Sequence, residues 1–402
     1  MKLIHLSDLH IGIRLNEYSL ADDQRFILNE ILKIIKGEKP DAVIIAGDVY
    51  DKTMPSDEAV TILDEFLCAL AQLDLSVFII SGNHDSAYRL SFANRLIEPG
   101  GIHISHVYNG ETDFRTIQDE YGEVNIYMLP FVKPAHIRKF FPDAEINSYT
   151  DAIAVAVDNM KVDRHERNVL ITHQFVTGAE RSDSEDISVG GSDNVDAAVF
   201  DAFDYVALGH IHNAQNIKSE RIRYCGTPLK YSISEANCDK SLTVVELKEK
   251  SSESDYCDIS VRTVPLKPKR NVVRLKGSYR ELTERGFYEN TSYKTDFVHI
   301  TLTDEEDITD AVGKLRIIYP NLLGLAYDNR RTAASGSLSE ITDVERLSPQ
   351  ELFEKFYKIQ NNSDMTDEQK IFIQNHICTG LKKYIYIFNV CLICFYCHKS
   401  LT

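Results

Sequence analysis

The sequence predicts an α/β fold built around a parallel sheet, and three observations carry that prediction. Short apolar runs at Leu3 to Leu6, Val43 to Ala46 and Val77 to Ile80 have the length and character of strands buried on both faces. Segments with helical apolar spacing separate them, and each run ends in a loop bearing carboxylate, amide or imidazole side chains. Strand, helix, strand, helix, strand in succession implies right-handed crossovers, which bring the loops after the strands to one edge of the sheet.

Taken in order, Leu3 to Leu6 is the first strand, with Asp8, His10 and Gly12 in the loop after it. Leu20 to Lys36 is apolar at Ile27, Leu28, Ile31, Leu32 and Ile35, the spacing of a helix with one buried face, and Gly37 and Pro40 end it. The second strand delivers Gly47 and Asp48. Pro55 and Ser56 open a helix through Leu73, and the third strand precedes Gly82-Asn83-His84-Asp85. Val124 to Leu129 reads as a strand and Thr150 to Met160 as a helix. The apolar runs Asn168 to Thr172 and Tyr205 to Leu208 present His173 and Gly209-His210-Ile211-His212. Ala179 to Asn194, rich in Ser, Asp and Gly, reads as a loop beside the site. Arg221 to Cys225 and Leu242 to Leu247 suggest a second sheet packed on the first.

At Pro265 to Arg270 the chain changes character and reads as a linker. Val272 to Leu275, Phe297 to Leu302, Ile308 to Ile318 and Leu322 to Tyr327 then build a small α+β domain. The basic cluster Lys267, Lys269, Arg270, Arg274 and Lys276 is either a solvated edge or a contact for nucleic-acid backbone. Thr332 to Ser339 is a second linker. Pro349 to Ile359 and Asp367 to Ile377 are short amphipathic helices suited to a partner rather than to the core. The domains expected are therefore residues 1–265, 266–330, a linker 331–348, helices 349–380, and an apolar, cysteine-rich tail 381–402.

The 402 residues, 43% hydrophobic and 26% charged, have the composition of a soluble globular protein of two or three domains. A formal net charge of −17 excludes a protein that coats nucleic acid by charge alone. It leaves open an enzyme that meets DNA through metal ions and local basic patches. His5, Ser7 and Asp8 interrupt any apolar core of a signal peptide, so the expected location is cytoplasmic, without a membrane. Cys68, Cys225, Cys238 and Cys257 are scattered singly, as free thiols are. Cys391, Cys394 and Cys397, with His398, have metal-like intervals. Their run, Tyr384 to Tyr396, lacks the glycine turns of a zinc knuckle and falls short of the ~20 residues a membrane span requires.

The strand-end loops together offer Asp8, His10, Asp48, Asn83, His84, His173, His210 and His212, each a ligand type for a divalent transition ion. Any one of these motifs alone is more often a turn or a cap. Five of them at the same end of predicted strands read as a di-metal site. Asp48 is the natural bridge, since a carboxylate has two oxygens. Two cations ~3.5 to 4 Å apart bind a phosphate across them and generate hydroxide at neutral pH for in-line displacement at phosphorus. His84 stands apart: with Asn83 turned to a metal, the next side chain points toward the phosphate. It is assigned to stabilise the transition state and protonate the leaving oxygen, with Asp85 orienting its ring. The other eight histidines, including His5, His103, His106 and His299, have no motif and read as structural or surface residues.

These residues resemble the calcineurin-like metallophosphoesterases, whose pattern is Asp-x-His, Gly-Asp, Gly-Asn-His-Asp or Glu, His, and Gly-His-x-His, over roughly Met1 to Leu247. Within them the closer likeness is to the SbcD family of bacterial nuclease subunits. It is carried by Leu6-Ser7-Asp8-Leu9-His10-Ile11-Gly12, Gly47-Asp48-Val49-Tyr50-Asp51, Ser81-Gly82-Asn83-His84-Asp85, Val189-Gly190-Gly191-Ser192, Gly209-His210-Ile211-His212 and Gly226-Thr227-Pro228-Leu229-Lys230-Tyr231-Ser232. Segments like Ser348-Pro349-Gln350-Glu351-Leu352-Phe353 and Met365-Thr366-Asp367-Glu368-Gln369 follow that family's capping domain.

The resemblance implies a four-layer sandwich of two mixed sheets flanked by helices, with an α+β capping domain and C-terminal helices. It implies that Asp8, His10, Asp48 and His212 hold one metal and Asp48, Asn83, His173 and His210 the other. The ions would be manganese, with magnesium an alternative. The implied activities are 3'-5' double-strand exonuclease and single-strand or hairpin endonuclease, in DNA repair, recombination and replication. The implied partners are an SbcC-like ATPase, docked through the C-terminal helices, and a second copy of the chain within a heterotetramer. Lacking a Gly-x-x-x-x-Gly-Lys loop, the chain itself is not expected to hydrolyse ATP. The ending after Thr379 departs from the polar helix that closes the family and bears on docking rather than on catalysis. Two rival readings are a small-molecule or cyclic-nucleotide phosphodiesterase of the same superfamily, which needs no C-terminal extension, and a non-catalytic assembly subunit. Ligand residues at all seven positions speak against the second. Lys52 after Asp51, and Asp85, depart from the Arg-Gly and Glu of the protein phosphatases.

Overall fold

The computed structural model of the chain describes residues 1–180, 193–251, 254–329 and 364–380, with isolated positions between 350 and 357. They fall into two compact units, Met1–Arg274 with Thr295–Val298, and Leu275–Lys294 with the chain from His299 onward. The first unit thus extends past Pro265, where the sequence places a linker.

In the first unit the chain runs β1 (Lys2–Leu6), a ribbon of β2 (Arg14–Leu15) and β3 (Tyr18–Ser19), α1 (Ala21–Glu38), β4 (Ala42–Ala46), α2 (Asp57–Ala71), β5 (Ser76–Ile80), α3 (Ala87–Leu90), α4 (Asn94–Ile97) and β6 (Ile102–Ile104). It continues through β7 (Asp113–Asp119), β8 (Gly122–Leu129), α5 (Pro134–Arg138), α6 (Tyr149–Met160), β9 (Arg167–His173), β10 (Tyr205–Gly209), β11 (Gln215–Ile217), β12 (Ser219–Tyr224), β13 (Ser241–Leu247) and β14 (Ile259–Pro265). Two six-stranded sheets result, in the orders β14-β13-β1-β4-β5-β6 and β11-β12-β10-β9-β8-β7. In the first, β1, β4, β5 and β6 are parallel, while β13 and β14 are antiparallel additions. In the second, β8, β9, β10 and β12 are parallel.

The strands Arg221 to Cys225 and Leu242 to Leu247, expected together in a second sheet, therefore part company. β12 joins the second sheet, whereas β13 lies antiparallel beside β1 in the first, with Ile4 opposite Val244. Periodicity identifies a buried strand but carries no information about which neighbour it pairs with.

Alternation along each strand sends residues to opposite faces. Ala42, Ile44, Phe78 and Ile80 of the first sheet meet Ile126, Met128, Val169, Ile171 and Ala207 of the second in one buried cluster. On the other face of the second sheet, Leu129, Leu170, Val206 and Leu208 pack with Ala152, Ile153 and Ala156 of α6. The crossover helices bury Ile27, Ile31 and Ile35 of α1 and Ile62, Phe66 and Leu70 of α2. Ser56 caps α2, its hydroxyl accepting the Ala59 amide at 3.2 Å. α1 passes through Gly37 rather than ending there. A Cβ at Gly37 would meet nothing, and the helix closes at Lys39, which takes the left-handed conformation and bonds the Ile35 carbonyl.

From Val272 onward the chain carries a three-stranded sheet in the order β15 (Val272–Gly277), β16 (Phe297–Leu302), β17 (Leu322–Tyr327), with α7 (Tyr279–Thr283), α8 (Arg285–Tyr288) and α9 (Ala311–Ile318). Ser278 and Glu281 form a capping box at α7. Leu282, Ile300, Leu302, Leu315 and Tyr319 are buried, and the Tyr319 hydroxyl donates to the Leu282 carbonyl at 2.6 Å. A further helix spans Asp367–Gly380. The loop segment 181–192, the linker 331–348, most of the helix expected from Pro349 and the tail 381–402 lie outside the described residues. Among the described residues, no helix is long and apolar enough to cross a membrane.

Candidate metal centre

The carboxyl ends of β1, β4 and β5 in one sheet and of β9 and β10 in the other carry Asp8 and His10, Asp48, Asn83, His173, and His210 and His212. Backbone bonds tie the loops together: the Asp8 amide donates to Gly47 at 3.0 Å, and the His10 and Ile11 amides donate to Asp48 and Val49 at 2.9 Å. Asp8, His10, Asp48 and His210 all have positive φ, at 52°, 42°, 46° and 101°. Such conformations are costly for residues with a Cβ and cluster where a site demands them. Two glycines permit the close approach. A Cβ on Gly82 would lie 2.1 Å from Asp48 Oδ1, and one on Gly209 only 1.9 Å from the Ala46 carbonyl oxygen. Gln24 of α1 braces the first loop, donating to the His10 carbonyl at 2.8 Å and accepting the Gly12 amide at 2.9 Å.

Asp48 stands at the centre. Its Oδ2 lies 3.3 Å from His173 Nε2, 3.6 Å from His10 Nε2 and 4.0 Å from His84 Nε2. Asn83 Oδ1 receives His173 Nε2 at 3.1 Å and His210 Nδ1 at 2.9 Å. Ligand atoms of Asp8, His10 and His212 lie within 4.8 Å of one another, as do those of Asp8, Asp48 and His173 and those of His10, Asp48 and His84. Nδ1 of His173 donates to the Ala46 carbonyl at 2.8 Å, which aims Nε2 at the carboxylates.

The charge balance fits a divalent cation. Burial and the charge of Asp48 push the Asp8 carboxyl up to about 6. Burial would also raise Asp48, but the His173 imidazole outweighs it and holds Asp48 below the usual carboxylate range. Burial would lower His173, yet Asp48 raises it to about 9. Burial drives His10 well below its ordinary value, and neither of its ring nitrogens has a hydrogen-bond partner among the described residues. Buried polar atoms are normally paired, so an unpaired imidazole among carboxylates suits a residue that can serve as a metal ligand. The pocket as it stands offsets the Asp48 carboxylate with a proton on the His173 imidazole. A divalent cation takes over that role.

All seven expected ligand residues are brought together. His84 sits at the rim, half-buried, with Nδ1 donating to the Asp51 carbonyl at 3.0 Å and its amide donating to Asp48 Oδ1 at 2.9 Å. Asp85 does not orient the His84 ring, contrary to the sequence expectation. Its buried carboxylate instead accepts the amides of Val49 at 3.0 Å, Tyr50 at 2.9 Å and Gly82 at 2.9 Å, binding the third loop to the second. The Asp51 carbonyl does the orienting. Glu235, buried beside His212, belongs to no motif and sequence reasoning misses it; it lies in a five-residue 3-10 turn without period. Burial would raise it, but the His212 ring and Lys240 hold it down to about 2. The motif-free His5 and His106 have structural partners, the Tyr205 hydroxyl at 2.9 Å and the Asp113 carboxylate at 3.0 Å.

The family model described as Calcineurin-like phosphoesterase matches residues 1–214. A C-terminal SbcD model, described as the Type 5 capsule protein repressor C-terminal domain, matches residues 268–361. The chain is 32% identical over 391 residues to the SbcD subunit of the SbcCD nuclease of Staphylococcus epidermidis, covering 96% of this chain and 99% of that one. Among solved structures, a dimetal phosphatase from Danio rerio aligns with a TM-score of 0.40 at 11% identity, over 66% of this chain and 96% of the other. A Thermus thermophilus protein aligns at 0.34 and 10% identity, over 64% and 97%.

Proposed function

Because the chain belongs to the calcineurin-like phosphoesterase family and, within it, to the SbcD nuclease subunits, we propose that it is the metal-dependent nuclease of an SbcCD-type assembly, hydrolysing phosphodiester bonds in DNA. The observation that carries this reading is the convergence of His10, His84 and His173, from three other strand-end loops, on the carboxylate of Asp48, with the His210 loop joined to them through Asn83.

Asp8, His10, Asp48 and His212 hold one ion in this reading, and Asp48, Asn83, His173 and His210 the other, with manganese the resident metal. When bound, the pair supplies Lewis acidity at the phosphoryl oxygens and an activated water. The protein's own groups do the rest. Asp48, which would be held by both ions' sites, is fixed in place by the His84 amide. His84, with Nδ1–H committed to the Asp51 carbonyl, presents Nε2 for proton transfer to the departing oxygen. An open cleft of about 450 Å³ beside it, lined by Asp51, Lys52, Thr53, Met54, Asn83 and His84, admits a strand, with Lys52 placed to meet its phosphates.

Other basic residues contribute less than their number suggests. Arg270 is paired with Asp23 and lies 4.3 Å over the Phe297 ring, Arg274 donates to the Ile233 carbonyl, and Lys276 donates to Asp328. An SbcC-like ATPase therefore supplies much of the grip on DNA, docked on the C-terminal helices. The exposed side chains of Tyr88, Phe92 and Leu96, close in sequence to the His84 loop, offer a surface for a second copy of the chain.

The test is cleavage of end-labelled duplex, hairpin and single-stranded DNA by the full chain with manganese, with and without the ATPase. Metal-dependent DNA cleavage is expected. Turnover of bis-p-nitrophenyl phosphate with no DNA cleavage, even with the partner present, refutes the nuclease reading in favour of a small-molecule phosphodiesterase.

A further inference from the structure

Outside the seven ligand positions, one buried charge pair touches the centre. Glu235 and Lys240 are 0% and 7% exposed and form an ion pair. Taking two charges out of water is unfavourable unless further hydrogen bonds complete their shells. Here those bonds lead to one residue. Lys240 Nζ donates to the His212 carbonyl at 2.9 Å and to Thr227 Oγ1 at 2.7 Å, and the Thr227 amide donates to the same His212 carbonyl at 3.0 Å. The other oxygen of the carboxylate, Oε1, lies 3.6 Å from His212 Nδ1. One network thus holds His212 by its backbone and faces its ring with a negative charge.

A histidine that ligates a metal through one nitrogen almost always directs the other N–H at a carboxylate or carbonyl, which sets both tautomer and ring plane. With the proton on Nδ1, facing Glu235, the lone pair resides on Nε2. Ligand atoms of His212 already lie within 4.8 Å of those of Asp8 and His10. We propose that Glu235, anchored by Lys240, is the positioning residue of His212 and selects the tautomer that completes the ion site shared with Asp8 and His10. This rests on the two-ion reading above. The competing account is that Glu235 and Lys240 only stabilise the turn, in which case both ion sites depend on them equally or not at all.

The experiment is calorimetric titration of the metal-free full chain with Mn²⁺, alongside thermal melts, for the wild type, Glu235→Gln, and the double variant Glu235→Gln with Lys240→Gln. The double variant leaves no lone ammonium buried, so it covers the case in which the single variant does not fold. The expected result is two ions on the wild type and, in a folded variant, one site weakened by about 10- to 100-fold with the other unchanged. Two sites at wild-type affinity overturn the proposal. So does equal loss of both sites in both variants, which marks a purely structural pair. If the wild type itself fails to bind two ions, it is the two-ion reading that falls.

Discussion

Replacing His84 by alanine separates proton transfer from metal binding. The side chain is 30% exposed, and its Nδ1 is hydrogen-bonded to the Asp51 carbonyl. Losing that bond costs about 0.5 to 1.5 kcal/mol of stability, too little to unfold a domain of this size. Losing a positioned proton donor lowers turnover by about 10²- to 10⁴-fold, or about 3 to 5 kcal/mol of barrier. The leaving group sharpens the test. A deoxyribose alkoxide needs a proton to depart, whereas nitrophenolate leaves without one. His84→Ala is therefore expected to lose most of its single-turnover rate on DNA, to keep much of its rate on bis-p-nitrophenyl phosphate, and to retain two Mn²⁺ by titration. Equal loss on both substrates refutes proton donation. Loss of an ion identifies His84 as a ligand, an outcome to which its 4.0 Å approach to Asp48 gives weight.

Three further outcomes follow from the geometry. Gly209→Ala places a Cβ 1.9 Å from the Ala46 carbonyl oxygen and 2.6 Å from His173 Nδ1, wedging the ends of β10 and β4 apart. Overpacking of this kind costs about 1 to 3 kcal/mol, seen as a lower denaturation midpoint, with Mn²⁺ affinity falling in parallel; an unchanged midpoint refutes the close approach. Asp85→Ala strips the acceptor from three buried amides and is expected to destabilise by about 3 kcal/mol or more while leaving the His84 ring contact intact, as read by urea titration and a ¹⁵N-histidine spectrum. For pH, the folded value of His173, about 9, lies above its ordinary 6.5. The imidazolium therefore stabilises the ion-free chain fully below about 6.5 and loses that contribution as pH rises through about 9, while Asp8, pushed up to about 6, has already ionised. Urea midpoints in EDTA should fall across that window, and Mn²⁺ affinity should climb, since metal and proton compete for Nε2. Flat profiles refute the His173–Asp48 ion pair.

What the residues disclosed in advance divides along one physical line. Asp8, Asp48, Asn83, His173, His210 and His212 were legible because a buried strand that ends abruptly must place its next residues at the sheet edge, and that is a local property of the chain. The limits of β16 and β17, Phe297–Leu302 and Leu322–Tyr327, were legible for the same reason, as apolar runs between polar breaks. The assignment of β13 to the first sheet was not, because pairing with β1 depends on a neighbour far along the chain. Asp85 misled through proximity. Adjacent to His84 in sequence, it turns away to collect the amides of Val49 and Tyr50 across the loop gap. Glu235 was invisible for the converse reason, since its relation to His212 exists only once β10 and the 3-10 turn are folded together.

The candidate ligands thus come from local chain logic, while the groups that aim them come from tertiary contact, and the two are expected to respond differently to change. Substituting a candidate ligand is expected to act on metal binding directly. A substitution at Gly82, Gly209, Asp85 or Gln24 acts through backbone conformations that are already costly, the positive φ angles of Asp8, His10, Asp48 and His210. Those conformations persist because Gln24 and the inter-loop amide bonds over-determine them. Weakening that frame lets the loops relax toward ordinary turns, and the centre is lost with every ligand residue still in the sequence.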